Sequence, residues 1–140
     1  MVDQDVVFAK VAIIKRCLQR IKDVTHLDPQ SLDAIDAQDI FILNLQRAAQ
    51  AAIDLAAHLV ASEGLGVPQD LKENFRLLQG ANVIAGSLAE RMQRMVGFRN
   101  IAVHEYEALD VNMLKSILLN NLRDLEEYYT AVAKHFGLEG

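Results

Sequence analysis

The stretch Val7–Ile21, VFAKVAIIKRCLQRI, decides the fold class. Val7, Val11, Ile14, Leu18 and Ile21 recur at spacings of 4, 3, 4 and 3 residues. In a helix of about 3.6 residues per turn this spacing lays them along one stripe. Lys10, Lys15, Arg16, Gln19, Arg20 and Lys22 cover the other side. The segment is therefore an amphipathic helix with one face for a core.

The same period continues outward along the chain. THLDPQSLDAID, with Pro29 inside it, breaks the first helix, and Asp36 is placed to cap a second. Phe41, Leu45, Ala48, Ala52, Leu55 and Leu59 form the second stripe, and its alanines let a neighbour approach closely. GLGVP ends it. Pro68 suits the first turn of a short third helix carrying Leu71, Phe75 and Leu78, with Gly80 as its stop. A fourth helix runs from about Ile84 toward Val103. Asp110 caps a fifth, whose apolar face extends from Leu114 to Phe136 before Gly137 closes it. No segment sustains strand alternation. The expected fold is all-α: an up-and-down helical bundle of four to five helices, one domain over residues 1–140.

The composition narrows the function classes. Half of the 140 residues are hydrophobic, enough to fill a core. No apolar run approaches the ~20 residues of a membrane span. MVDQDVVFAK opens with acids and lacks the basic start of a signal peptide, so a soluble cytoplasmic protein is expected. Cys17 is the single cysteine, which excludes an internal disulfide and a Cys-rich zinc site. His26, His58 and His135 lack companions at ligand spacing, and Asp54 and His58 read as a helix-surface pair. HEYEA departs from the HExxH zinc motif because its fifth residue is Ala108. No metal or cofactor is expected. The net charge of −5 counts against broad nucleic-acid binding by charge alone and leaves room for a local basic surface.

Chemistry concentrates in GFRNIAVHEYEALD, Gly97–Asp110. On a wheel advancing ~100° per residue from Leu88, Arg99 falls near ~20°, inside the apolar stripe of Met92, Met95, Ala102 and Val103. An unpaired buried guanidinium is costly and keeps its proton. Arg99 should therefore meet a carboxylate, reach an opening or bind an anion. His104 lies ~140° away around a straight helix, so the two cannot grip one phosphate unaided. Either the helix bends or ends between them, with Gly97 a weak point, or a second copy supplies the missing group. Arg91 and Arg94 make the segment locally basic and are candidate RNA contacts. Arg47 interrupts the second helix's apolar pattern and is a candidate for the same interface.

RNIAVH resembles the Arg-polar-x3-His motif of HEPN domains. With its flanks, MVGFRNIAVHEY is similar to the HepT-like branch, toxins of HepT–MntA (type VII-like) toxin–antitoxin systems. IIKRCLQRI, ILNLQRAAQAAIDLA and GVPQDLKENFRLL extend the resemblance over most of the chain. The resemblance implies a homodimer, able to assemble further with its antitoxin, that cleaves RNA without a metal at an interface cleft. It implies Arg99 and His104 as the catalytic pair and Asn100 as a supporting polar residue. It also implies Tyr106 as the site where an MntA-like nucleotidyltransferase antitoxin attaches AMP (AMPylation).

The side chains suit that chemistry on their own terms. RNA carries a 2′-hydroxyl nucleophile, an imidazole exchanges protons at neutral pH, and an arginine holds phosphate. A competing reading is a catalytically silent helical module that binds a nucleotidyltransferase or its nucleotide. A third is a plain structural dimer. Growth arrest that disappears in His104→Ala separates the enzyme from both.

Overall fold

The computed structural model describes residues 2–138. It contains six α-helices: α1 (Gln4–Thr25), α2 (Ile35–Ser62), α3 (Leu71–Gly80), α4 (Gly86–His104), α5 (Val111–Asn120) and α6 (Leu122–His135). Short 3-10 turns at Pro29–Asp33 and Tyr106–Ala108 join α1 to α2 and α4 to α5. The described residues contain no strand. Among them, no helix is long and apolar enough to cross a membrane.

Side chains from all six helices meet in one hydrophobic core. Val7, Ile14, Leu18 and Ile21 of the α1 stripe are buried, with Cys17 beside them. The central element is α2, which buries Phe41, Leu45, Leu55 and Leu59 together with Ala48, Ala49, Ala51, Ala52 and Ala56. Small side chains set a short spacing between packed helices. One result is that Tyr128 of α6 reaches α2, donating from its hydroxyl to the Ala52 carbonyl at 2.9 Å. Its ring meets Phe75 of α3 edge-on, with centroids 5.5 Å apart.

Helix boundaries differ from the sequence expectation in three places. Ala34 rather than Asp36 is the N-cap of α2, and Asp36 sits in the first turn, where a carboxylate complements the helix dipole. The third helix starts at Leu71 because the Asp70 side chain accepts from Glu73 N–H at 2.8 Å, leaving Pro68 in the preceding loop. That helix ends at Gly80 as expected, and Asn82, with φ of 62°, makes the left-handed turn that follows. The expected long last helix is two. It breaks at Asn121, a turn residue with φ of −119° and ψ of −8° between the two helices, whose side chain donates to Asp124 at 2.9 Å. That local bond competes with a continuous helix and aims the Asp124 carboxylate into the bundle.

Candidate active site

The chemistry-bearing residues lie along the second half of α4 and in the turn that follows it. The helix runs unbroken through Gly97, Arg99 and His104 and ends at Glu105, whose φ of −140° and ψ of 50° stop it. No break at Gly97 brings the two side chains together. Arg99 and His104 leave the helix on different sides, as ~100° per residue requires. His104 is exposed at the last helical position.

Arg99 is half-buried and, of the outcomes its place in the apolar stripe left open, does not take the carboxylate: among the described residues it meets amide oxygens. Its Nε donates to Gln50 Oε1 on α2 at 2.8 Å. Its Nη1 donates to Asn100 Oδ1 at 2.9 Å. Two neutral acceptors fix the direction of the guanidinium and leave its charge intact. The Gln50 amide is itself held the right way round. Its Nε2 donates to Asp54 Oδ1 at 2.8 Å. An ionised carboxylate only accepts and a guanidinium only donates, so the amide has one satisfying orientation. Asp54 in turn pairs with Lys10 of α1 at 3.4 Å. The expected Asp54–His58 pair does not form; His58 Nε2 instead accepts from the Asp3 backbone N–H at 3.3 Å.

Asn100 also lines a cavity of about 560 Å³ between Val96 and the Pro68–Lys72 segment. Tyr106 lies in the 3-10 turn just past the helix and is about half exposed, at 48%. Its hydroxyl donates to Asp39 Oδ1 of α2 at 3.0 Å. Partial burial, and then the Asp39 bond and charge, push its pKa above the usual tyrosine value. The hydroxyl therefore stays protonated at neutral pH.

The two candidate RNA-contact arginines part company. Arg91 spends its guanidinium on α6, pairing through Nη1 with the buried Asp124 and through Nη2 with Glu127 at 2.9 Å. The Asn121 break supplies that partner, and the clamp ties α4 to α6. Arg94 is exposed. Met92, Met95 and Val96 are core residues.

Gln50 and Asp39 were not singled out in the sequence, and Asp54 only as a partner for His58, although a signal was present. Asn44, Arg47, Gln50 and Asp54 recur at spacings of 3, 3 and 4 along the otherwise alanine-rich α2. That is a polar ridge at helical period, and a helix with such a ridge directs it toward something.

A helical bundle with Arg–Asn–x3–His closing its fourth helix defines a HEPN-type protein. A family model described as "Ribonuclease HepT-like" matches residues 14–132. The mRNA nuclease HepT of Shewanella oneidensis is 38% identical over 128 residues, covering 91% of this chain and 96% of that protein. This chain belongs to the HepT-like ribonuclease family. Two solved structures resemble it closely. One is a toxin–antitoxin with AMP-PNP, at TM-score 0.87 and 36% identity over 93% of this chain and 98% of that chain. The other is the tri-AMPylated Shewanella oneidensis HEPN toxin in complex with MNT antitoxin, at TM-score 0.86 and 37% identity over the same shares.

Proposed function

We propose that this chain is the toxin of a toxin–antitoxin pair, a ribonuclease that cuts RNA at a cleft shared by two copies. The observation that carries this reading is Arg99: a half-buried guanidinium oriented by two neutral oxygens, with its charge free for an anion. The family membership and the nuclease relative point to the same class.

In this reading the guanidinium holds the scissile phosphate and offsets charge on its oxygens as the bond breaks. The 2′-hydroxyl oxygen attacks phosphorus while His104 takes its proton. The 5′-oxygen leaves with a proton taken up from solvent, and a 2′,3′-cyclic phosphate forms. No metal takes part. Because α4 is unbroken, Arg99 and His104 of one copy diverge. A two-fold pair places one copy's arginine near the other's histidine. Asn100 supports the arginine.

The regulatory partner is an MntA-like nucleotidyltransferase that attaches AMP to Tyr106. The related Shewanella oneidensis toxin is AMPylated and bound to an MNT antitoxin. Tyr106 is exposed, and AMP there adds bulk and negative charge close to the end of α4.

The deciding experiment is RNA cleavage by purified protein in EDTA, beside folded and dimeric Arg99→Ala and His104→Ala. Cleavage by wild type alone, leaving cyclic-phosphate ends, is expected. Equal cleavage by all three removes the assigned site, and loss of activity in EDTA removes metal independence.

A further inference from the structure

A helical protein of net charge −5 that takes RNA needs a place where cations outnumber acids. Most of its cations are already engaged among the described residues. Lys22 pairs with Glu126, Arg91 with Asp124 and Glu127, and Lys115 with Asp33. Lys15 lies over the Tyr129 ring, and Arg76 donates to Gln93. Arg16 and Arg47 are different. Both are exposed, neither forms an ion pair among the described residues, and both line one cleft.

That cleft lies between α1 and α2 and has a volume of about 230 Å³. Lys10, Asn44, Gln50 and Asp54 also line it, and Cys17 is buried at its wall. Its one carboxylate, Asp54, is already occupied by Lys10 and Gln50. Both arginine charges are felt at one point: burial raises the Cys17 thiol pKa, and Arg16 and Arg47 each pull it back down. Gln50 joins the cleft to the site. Its amide nitrogen holds Asp54 in the cleft wall while its oxygen holds Arg99. The cleft and the Arg99 guanidinium thus flank a single side chain.

We infer that the α1–α2 cleft is a phosphate-binding track for single-stranded RNA, in which Arg16 and Arg47 hold backbone phosphates next to the one gripped by Arg99. The inference rests on the ribonuclease reading and extends it to a surface outside the Arg-Asn-x3-His motif. Unpaired cations along a groove hold a flexible strand by its backbone without reading its bases. It also replaces the expected role of Arg91, which is committed to α6.

The test uses the full chain with His104→Ala, so that RNA is bound without being cut, and a labelled mixed-sequence RNA oligonucleotide. Arg16→Ala and Arg47→Ala are each expected to weaken binding severalfold, and the double variant by about 10- to 100-fold. The slope of log affinity against log salt should fall by ~0.7 per lost phosphate contact on a single strand. Arg20→Ala, an exposed arginine outside the cleft lining, should change neither. Circular dichroism confirms folding of each variant. An unchanged affinity and salt slope in the double variant overturns the inference, and so does a loss confined to binding of the nucleotidyltransferase partner. If the wild-type chain neither binds nor cuts RNA, the ribonuclease reading fails as well. If it cuts RNA while the cleft variants bind normally, only the cleft assignment fails.

Discussion

Gln50 Oε1 accepts from Arg99 Nε at 2.8 Å, and this bond between α2 and α4 sets where the motif arginine points. Replacing Gln50 by Ala removes the oxygen and leaves a half-buried N–H without its acceptor, at a cost of about 1–3 kcal/mol. Gln50→Ala should lower RNA cleavage by roughly 10-fold or more while the helical content stays unchanged. Arg99→Lys should not restore an Arg99→Ala loss, because an ammonium lacks the planar fork that reaches Gln50 and Asn100 together. Single-turnover cleavage by the three variants checks both points. Wild-type rates in Gln50→Ala would show that the bond has no part in the reaction.

Tyr106→Phe removes one exposed hydroxyl and its bond to Asp39. Stability should change by no more than ~0.5 kcal/mol, as is usual for surface positions. AMP transfer by the nucleotidyltransferase should be abolished, whereas RNA cleavage should persist. Asp39→Ala keeps the hydroxyl and removes the acceptor that aims it, so transfer should slow without vanishing. Intact-mass measurement after incubation with the partner and ATP reads all three proteins. An AMP adduct on Tyr106→Phe would move the modification to another residue.

Arg91→Ala should behave as a stability mutant. It leaves the buried Asp124 carboxylate with Asn121 as its remaining side-chain donor. Breaking a buried pair this way costs roughly 3 kcal/mol. Urea unfolding should show that loss, while the salt dependence of RNA binding stays at the wild-type slope. A lower salt slope with unchanged stability would instead make Arg91 a phosphate contact.

Alkaline pH should weaken the bundle through Tyr128. Complete burial raises its pKa well above the ordinary tyrosine value. The unfolded chain loses that proton near pH ~10, and the folded chain holds it to higher pH. Above pH ~10 the unfolded state therefore binds fewer protons, so stability falls as pH rises and is fully present below that point. Tyr106 and Tyr129 shift in the same direction. Tyr128→Phe should flatten the decline without abolishing it. Denaturant unfolding between about pH 8 and 11 measures the slope, and an identical slope in Tyr128→Phe would count against this origin.

Much of the fold was legible in the chain. The stripes of α1 and α2 announce themselves because helix period and burial largely agree: Val7, Ile14, Leu18 and Ile21 are buried as their spacing requires, and Val11 is partly buried against the same core. Boundaries were less legible. Asp36 and Pro68 both fit a helix start locally, but Ala34 and Asp70 occupy the caps. The break at Asn121 was hidden because the leucines on either side keep the same period through it.

The sequence by itself determined the all-α class, the buried stripes and the short segment that carries Arg99, Asn100, His104 and Tyr106. Those follow from local periodicity and from residue chemistry, which neighbours in the chain fix. Only the tertiary structure decided what each charge faces. Arg99 could have met a carboxylate and instead met Gln50; Arg91 could have stayed free and instead clamps α6; Arg16 and Arg47 proved to share a cleft. Those outcomes join residues 31 to 49 positions apart, and they depend on how helices pack side by side, which no local pattern in the chain specifies.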